Sequence, residues 1–90
     1  MDSSIQIGDV VLSLKGRDSG RFYVVAEKVS DEYVKIADGE KHVLDKTKLK
    51  KIKHLKKNGD KLDSIGTKLI ENKQVFDSEI RSALRSYNTK

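Results

Sequence analysis

The sequence predicts a small, mainly β domain followed by a pair of C-terminal helices, so that the chain is α+β overall. Runs rich in β-branched and aromatic residues, separated by short polar turns, occupy residues 9–44 and indicate antiparallel strands. After Asn58 and Gly59 the apolar residues recur with the period of a helix. Four strands with short connections in 90 residues predict a meander that curls into a partly closed barrel.

The first two predicted strands flank a short charged loop that is bounded by two glycines. Strand one is expected over residues 9–14 and strand two over residues 21–29, each with alternating side chains on opposite faces. The loop between them, residues 16–21, reads Gly-Arg-Asp-Ser-Gly-Arg. Glycine adopts positive φ without a steric penalty, so this segment can turn the chain tightly. We therefore predict a β-hairpin with charge at its tip.

Two further strands are predicted from a second hairpin pattern. Residues 33–37 form the third strand and residues 41–44 the fourth, with Asp38 and Gly39 between them. Asp-Gly between two short β-like runs is typical of a type I′ turn, which requires positive φ at both central residues.

The lysine-rich segment that follows is ambiguous in its secondary structure. Leu49, Ile52 and Leu55 recur every three residues, which matches neither strict alternation nor a regular helix. Both a fifth strand with an irregularity and a short helical turn are compatible with this spacing. We favour the strand, because an open four-stranded sheet leaves an edge that needs covering.

Two amphipathic helices are predicted at the C-terminal end. Asp60 is the expected N-cap of the first and Asp77 that of the second. Gly66 lies inside the first helix, where glycine costs about 1 kcal/mol relative to alanine, so this helix needs tertiary packing. The apolar stripes consist of Leu62, Ile65 and Leu69 in the first helix, and of Ile80, Ala83, Leu84 and Tyr87 in the second.

Composition restricts the classes of protein to which the chain can belong. There is no cysteine, which excludes a disulfide scaffold and a thiolate metal site. No apolar run approaches the roughly 20 residues that span a bilayer, and the N-terminus lacks a signal-peptide pattern. We expect a cytoplasmic protein without membrane contact, with a flexible N-terminal tail over residues 1–6.

The positive charge of the chain is concentrated in one segment. The net charge is +5, yet residues 1–45 carry a net −3 and residues 58–90 a net +1. Residues 46–57 contain seven lysines and no acidic residue. Such a patch is typical of a surface that binds a polyanion, although a solvated face has the same composition. The candidate RNA-binding residues in this segment are Lys46, Lys48, Lys50, Lys51, Lys53, His54, Lys56 and Lys57.

Signals for catalysis and metal binding are weak. His42 and His54 have neither cysteine partners nor a His-x-x-x-His spacing, and residues 16–20 lack the Gly-Lys-Ser/Thr of a phosphate-binding P-loop. We expect no enzymatic activity, no metal, no cofactor and no small-molecule substrate.

Tyr23 and Tyr33 are candidates either for stacking on unpaired bases or for the core.

The residues of the first hairpin resemble a KOW motif, in which an apolar strand, a Gly-basic-Asp-x-Gly-basic loop and a second apolar strand follow one another. The fuller resemblance is to small bacterial KOW-domain proteins related to KOW-bearing large-subunit ribosomal proteins of archaea and eukaryotes. It includes the Tyr-Val-x-Ile-Ala-Asp-Gly segment at residues 33–39 and the Ile-Lys-His-Leu segment at residues 52–55. It covers about residues 7–57.

This resemblance implies an SH3-like barrel over residues 7–57 that binds RNA, often at the ribosome, with residues 58–90 as a helical extension. Gly16, Asp18 and Gly20 are then expected to shape the loop. Lys15, Arg17 and Arg21 are expected to contact backbone phosphates. Ser19 stands where many members have a lysine, which makes this loop less basic than usual.

The expected function is therefore that of a non-catalytic, ribosome-associated RNA-binding protein. Its expected partners are RNA, ribosomal RNA in the first place, and ribosomal proteins. The alternative is a protein-interaction module of the translation or transcription machinery, in which the barrel binds a peptide or protein or the apolar stripes of the helices dock on a partner. DNA binding differs from the first interpretation only in the polymer, and the sequence does not separate the two.

Overall fold

Five antiparallel strands form one sheet in the computed structural model of the protein, which describes residues 5–88. The strands are β1 (Asp9–Ser13), β2 (Phe22–Lys28), β3 (Tyr33–Ala37), β4 (Lys48–Lys51) and β5 (Leu55–Lys61), and the helices are α1 (Asp63–Ile70) and α2 (Asp77–Asn88). The order across the sheet is β4-β3-β2-β1-β5. The predicted α+β architecture, with strands first and a helical pair last, is confirmed.

The sheet is open in its hydrogen bonding. β4 and β5 form its two edges, and no pairing joins them among residues 5–88. A 3-10 turn over Ile52–His54 carries the chain from one edge to the other. The fold is therefore a five-stranded antiparallel sheet with two helices, and its pairings do not make a closed barrel.

Both faces of the sheet are covered, which explains why β1 and β2 are apolar on both sides. Successive side chains of a strand point to opposite faces. Val10, Val24 and Ala37 face the helices and pack with Ile65, Ile80 and Leu84. The other face carries a second core, made of Ile5, Val11, Tyr23, Val25, Val34, Ile36, Ile52 and Leu55.

The second core includes two residues for which the sequence suggested other surroundings. Tyr23 is fully buried, so the hypothesis that its ring stacks on unpaired bases is wrong. Ile5 belongs to the predicted flexible tail, yet its side chain is 1% exposed and packs in this core. Residues 1–4 of that tail lie outside the described residues.

The predicted fourth strand at residues 41–44 does not form. Only Gly39 of the Asp38-Gly39 pair has positive φ (81°), so the turn is not of type I′. Instead, Asp38 Oδ1 accepts hydrogen bonds from the backbone N–H groups of Glu40 (2.9 Å) and His42 (3.0 Å). A Cβ on Gly39 would lie 2.3 Å from the carbonyl oxygen of Asp77. The start of α2 thus packs directly on this loop, and the chain continues through a 3-10 turn at Leu44–Lys46.

The lysine-rich segment contains both structures that its spacing allowed. β4 pairs with β3, and the 3-10 turn at Ile52–His54 interrupts the extended chain before β5 begins. Ile52 and Leu55 are buried, whereas Leu49 is 51% exposed. The three-residue spacing therefore reflects a change of structure within the segment, and only two of its three apolar residues reach the core.

The first helix begins later than predicted. Asp60 is not its N-cap, because β5 continues to pair with β1 as far as Lys61, opposite Asp9. The N-cap is Leu62, whose side chain makes no capping hydrogen bond. Asp60 instead accepts a hydrogen bond from the hydroxyl of Tyr87.

Close packing explains why a glycine, Gly66, occupies a position inside α1. A Cβ at this position would lie 3.1 Å from the Cα of Gly8 and 3.2 Å from the carbonyl oxygen of Ile7. The absence of a side chain allows the helix backbone to approach the segment that leads into β1. This contact supplies the tertiary packing that a glycine-containing helix requires.

The apolar stripes of both helices pack against one face of the sheet. Ile65, Ile80 and Leu84 are at most 7% exposed, and Tyr87 packs on Phe22 with 5.4 Å between ring centroids. The two stripes are thus not the exposed surfaces that docking on a partner through them would require. Within residues 5–88, neither helix has the length and hydropathy needed to cross a membrane.

Candidate nucleic-acid interface

The loop at residues 16–21 is a tight turn that depends on its two glycines. Gly16 and Gly20 have φ values of 87° and 84°, which side-chain-bearing residues rarely adopt. The backbone N–H of Gly20 donates to the carbonyl oxygen of Ser13 at 2.8 Å, and Ser19 donates to Gly16 at 3.2 Å. The loop is thereby joined to the end of β1.

A buried ion pair connects this loop to the lysine-rich segment. Lys50 Nζ lies 2.8 Å from Asp18 Oδ1 and donates a second hydrogen bond to the carbonyl oxygen of Lys15 at 2.7 Å. The side chains of Lys50 and Asp18 are 9% and 7% exposed. Ser13 Oγ donates to the same Asp18 oxygen at 3.1 Å. The two segments that the sequence singled out therefore meet in space.

The pKa of Asp18 reflects this arrangement. Burial on its own raises the pKa of the carboxyl, but the hydrogen bonds from Lys50 and Ser13 and the charge of Lys50 outweigh it. The pKa of Asp18 is consequently below its usual value, and its carboxylate is ionised at neutral pH. Gly16 packs over the pair, since a Cβ there would lie 3.3 Å from both Asp18 Oδ1 and Lys50 Nζ.

Arg21, predicted to contact phosphate, is also held by acidic partners. Its Nε lies 2.7 Å from Asp38 Oδ2, and a terminal nitrogen lies 3.3 Å from Glu40 Oε1. The hydrogen bond to Asp38 is the main reason why the pKa of Arg21 is raised. The structure therefore separates Lys50 and Arg21 from the other predicted phosphate contacts, because their charges are already balanced within the protein.

Most of the remaining predicted cations are accessible. Six of them are exposed and form no ion pair within residues 5–88: Lys15, Arg17, Lys46, Lys48, Lys53 and Lys56. Lys51 is half-buried, with its Nζ 6.0 Å from the centre of the Tyr33 ring. Lys57 is exposed, and its Nζ lies 3.6 Å from Asp9 Oδ2.

His54 lies where the charges of the loop and of the lysine-rich segment converge. It ends the 3-10 turn, and its carbonyl oxygen accepts a hydrogen bond from Leu14 N at 2.9 Å. Its pKa is lowered from the ordinary value, first by partial burial and then by the charges of Lys15, Lys53, Lys50 and Lys51. An imidazole surrounded by cations resists protonation, so His54 is neutral at neutral pH in the free protein.

A cleft of about 300 Å³ opens beside the Asp18–Lys50 pair. Its other lining residues include Arg17 from the loop, Lys48 from β4, and Lys41 and His42 from the turn after β3. Sequence reasoning missed Lys41 and His42, which it assigned to a strand. The Asp38 side chain holds this turn in place through His42 N, and no local pattern indicates that the turn lies beside residues 16–18.

Residues 5–88 contain no cluster of three or more histidine, cysteine or acidic side chains placed to hold a metal ion. No model of a known protein family matches the chain, and a comparison with curated proteins finds no match either.

Proposed function

We propose that this protein is a non-catalytic, cytoplasmic RNA-binding protein that contacts the RNA backbone through the cations around residues 15–17 and 46–57. One observation carries the proposal: lysines from both segments converge around the 3-10 turn at Ile52–His54, and their charge opposes protonation of His54. A concentration of unbalanced positive charge attracts a polyanion and releases its counterions. Ribosomal RNA is the proposed RNA, with ribosomal proteins as neighbours.

We also propose that the sheet is the curled sheet of an SH3-like barrel of the KOW type. The resemblance of residues 7–57 supports this assignment, as does the 3-10 turn that carries the chain from edge strand β4 to edge strand β5. The hydrogen bond from Leu14 N to the carbonyl oxygen of His54 brings the end of β1 to this turn.

The salt dependence of binding tests the proposed function. Fluorescence anisotropy with a labelled single-stranded RNA, measured from 50 to 200 mM salt, should show affinity falling steeply as salt rises. Five lysines of the segment form no ion pair within residues 5–88, and together they contribute about −3.5 to the slope of log K against log[salt], at 0.7 per contact. These are Lys46, Lys48, Lys51, Lys53 and Lys56.

Two results would contradict the proposal. One is an affinity for RNA that does not change with salt. The other is an equal affinity for an analogue of the same sequence with an uncharged peptide backbone. A DNA strand of that sequence measures the preference between the two polymers.

RNA binding should raise the pKa of His54. Phosphates that neutralise the surrounding lysines remove part of the charge that keeps this pKa low in the free protein. Because the complex then has the higher pKa, binding takes up a proton, and affinity should increase as the pH falls from about 7 to about 5. NMR titration of the His54 ring in the free protein and in the saturated complex measures the shift.

His54→Gln is the matched control for this pH dependence. It retains a polar side chain of similar length but cannot become protonated, so the increase in affinity at low pH should be reduced. If the pKa of His54 is the same in the free protein and the complex, RNA does not bind at this turn.

A further inference from the structure

We infer that the cleft between the loop at residues 16–21 and the turn at residues 38–42 is a preformed subsite for one backbone phosphate of the RNA. This inference rests on the proposed function and deepens it, because it places one contact at a defined site. Besides Lys50, three cations line the cleft, namely Arg17, Lys41 and Lys48, and each comes from a different element.

The charge of the cleft is unbalanced. Asp18 is the one acidic residue in its lining, and the buried ion pair with Lys50 already neutralises it. The exposed side chains of Arg17, Lys41 and Lys48 form no ion pair within residues 5–88, so their charges remain available to a ligand. Three cations around a neutral pair favour an anion over a neutral molecule.

The walls of the cleft are held in place before any ligand binds. The Asp18–Lys50 pair fixes the loop that carries Arg17. The hydrogen bond from His42 N to Asp38 Oδ1 fixes the turn that carries Lys41, and the ion pair from Arg21 holds Asp38 itself. A preformed site saves the cost of ordering its backbone on binding, so its contacts contribute more to affinity than those of mobile surface lysines.

The chemistry of the lining fits a phosphodiester. The guanidinium of Arg17 can donate two parallel hydrogen bonds to two phosphate oxygens, while the ammonium groups of Lys41 and Lys48 provide compact charge that tolerates any geometry. The volume of about 300 Å³ admits a phosphate together with its ribose. The cleft therefore gives the RNA strand a fixed register relative to the lysine-rich segment.

The double variant Lys41→Ala/Lys48→Ala tests the inference against a control with the same loss of charge. The control, Lys61→Ala/Lys73→Ala, removes two exposed lysines elsewhere. Lys61 ends β5 opposite Asp9, at the end of β1 away from the loop, and Lys73 forms an exposed ion pair with Glu71. Both variants should keep the thermal midpoint of the wild type, because exposed side chains contribute little to stability.

The readouts are the affinity for a single-stranded RNA and its salt slope, with the wild type in parallel. The cleft variant should bind at least about tenfold more weakly than the wild type, which corresponds to the loss of charge-assisted hydrogen bonds. Its slope should be less negative by about 1.4, at 0.7 for each of two lost contacts, whereas the control should keep the wild-type slope.

Two different failures are distinguishable. If the wild type binds with the expected salt dependence but the cleft variant and the control lose affinity equally, the cleft is not a subsite and the proposed function stands. If the wild type shows no salt-dependent binding to RNA, the proposed function fails and the subsite with it.

Discussion

Lys50→Met should lower the free energy of unfolding by about 3 kcal/mol, because it leaves the carboxylate of Asp18 buried without its counter-charge. Small domains have a total stability of about 5–15 kcal/mol, so this loss is large. Urea unfolding followed by circular dichroism measures it. Methionine approximates the length of the lysine stem, so the change removes chiefly the charge and the hydrogen bonds of the ammonium group.

Lys53→Met is the matched control for this prediction. Lys53 lies three residues further along the same segment, is exposed, and forms no ion pair within residues 5–88, so its replacement should change stability by less than about 0.5 kcal/mol. Equal effects of the two substitutions would show that the Asp18–Lys50 pair has no special structural role.

The double variant Asp18→Asn/Lys50→Met separates the ion pair from the other contacts of each residue. Asparagine retains an acceptor for Ser13 and carries no charge that requires neutralisation. The double variant should therefore be more stable than the sum of the two single changes predicts, by about 1–3 kcal/mol. Additive effects would contradict direct coupling between the two charges.

Reversing the charge of Lys46, Lys51 and Lys53 to glutamate should weaken RNA binding by about 100-fold at 0.1 M salt. This figure follows from the loss of three phosphate contacts, each contributing about 0.7 to the salt exponent, before any repulsion from the new carboxylates. The triple variant omits Lys50, since Lys50→Glu would place two carboxylates together in a buried site and disturb the fold.

Reversal of Lys61, Lys73 and Arg85 is the control, with the same change in net charge in the C-terminal part of the chain. Its effect should be much smaller, because these side chains lie outside the lysine-rich segment and 0.1 M salt weakens interactions between exposed charges. Equal losses for the two triple variants would show that net charge alone, and not the lysine-rich segment, governs binding. Filter binding or fluorescence anisotropy with the same RNA measures the affinity of both triple variants.

Replacing Arg17 by alanine should weaken binding less than this triple reversal does, since it removes one contact. Arg21 is unsuitable for the comparison, although the sequence treats the two arginines alike. Its guanidinium is bonded to Asp38 and Glu40, so Arg21→Ala would leave the buried carboxylate of Asp38 without its ion pair.

Sequence patterns predicted the secondary structure correctly wherever it follows from the local periodicity of apolar residues. Alternation in β1 to β3 predicted these strands, and the 3.6-residue period in α2 predicted both the helix and the face that it buries. The patterns failed where a distant segment decides the local structure. Residues 41–44 form no strand because the start of α2 packs on Gly39, and Asp60 does not cap α1 because β5 continues its pairing with β1.

At the candidate site too, some features follow from the sequence alone and others depend on the tertiary structure. The sequence by itself determined that positive charge is concentrated in residues 46–57 and that a glycine-bounded loop follows β1, because charge counts and glycine positions are properties of the chain. Only the tertiary structure decided which cations can meet a ligand. It buried Lys50 against Asp18, bonded Arg21 to Asp38, and brought Lys41 beside Arg17 and Lys48. The physical reason is that the availability of a charge depends on its neighbours in space, and these neighbours lie up to 32 positions away along the chain.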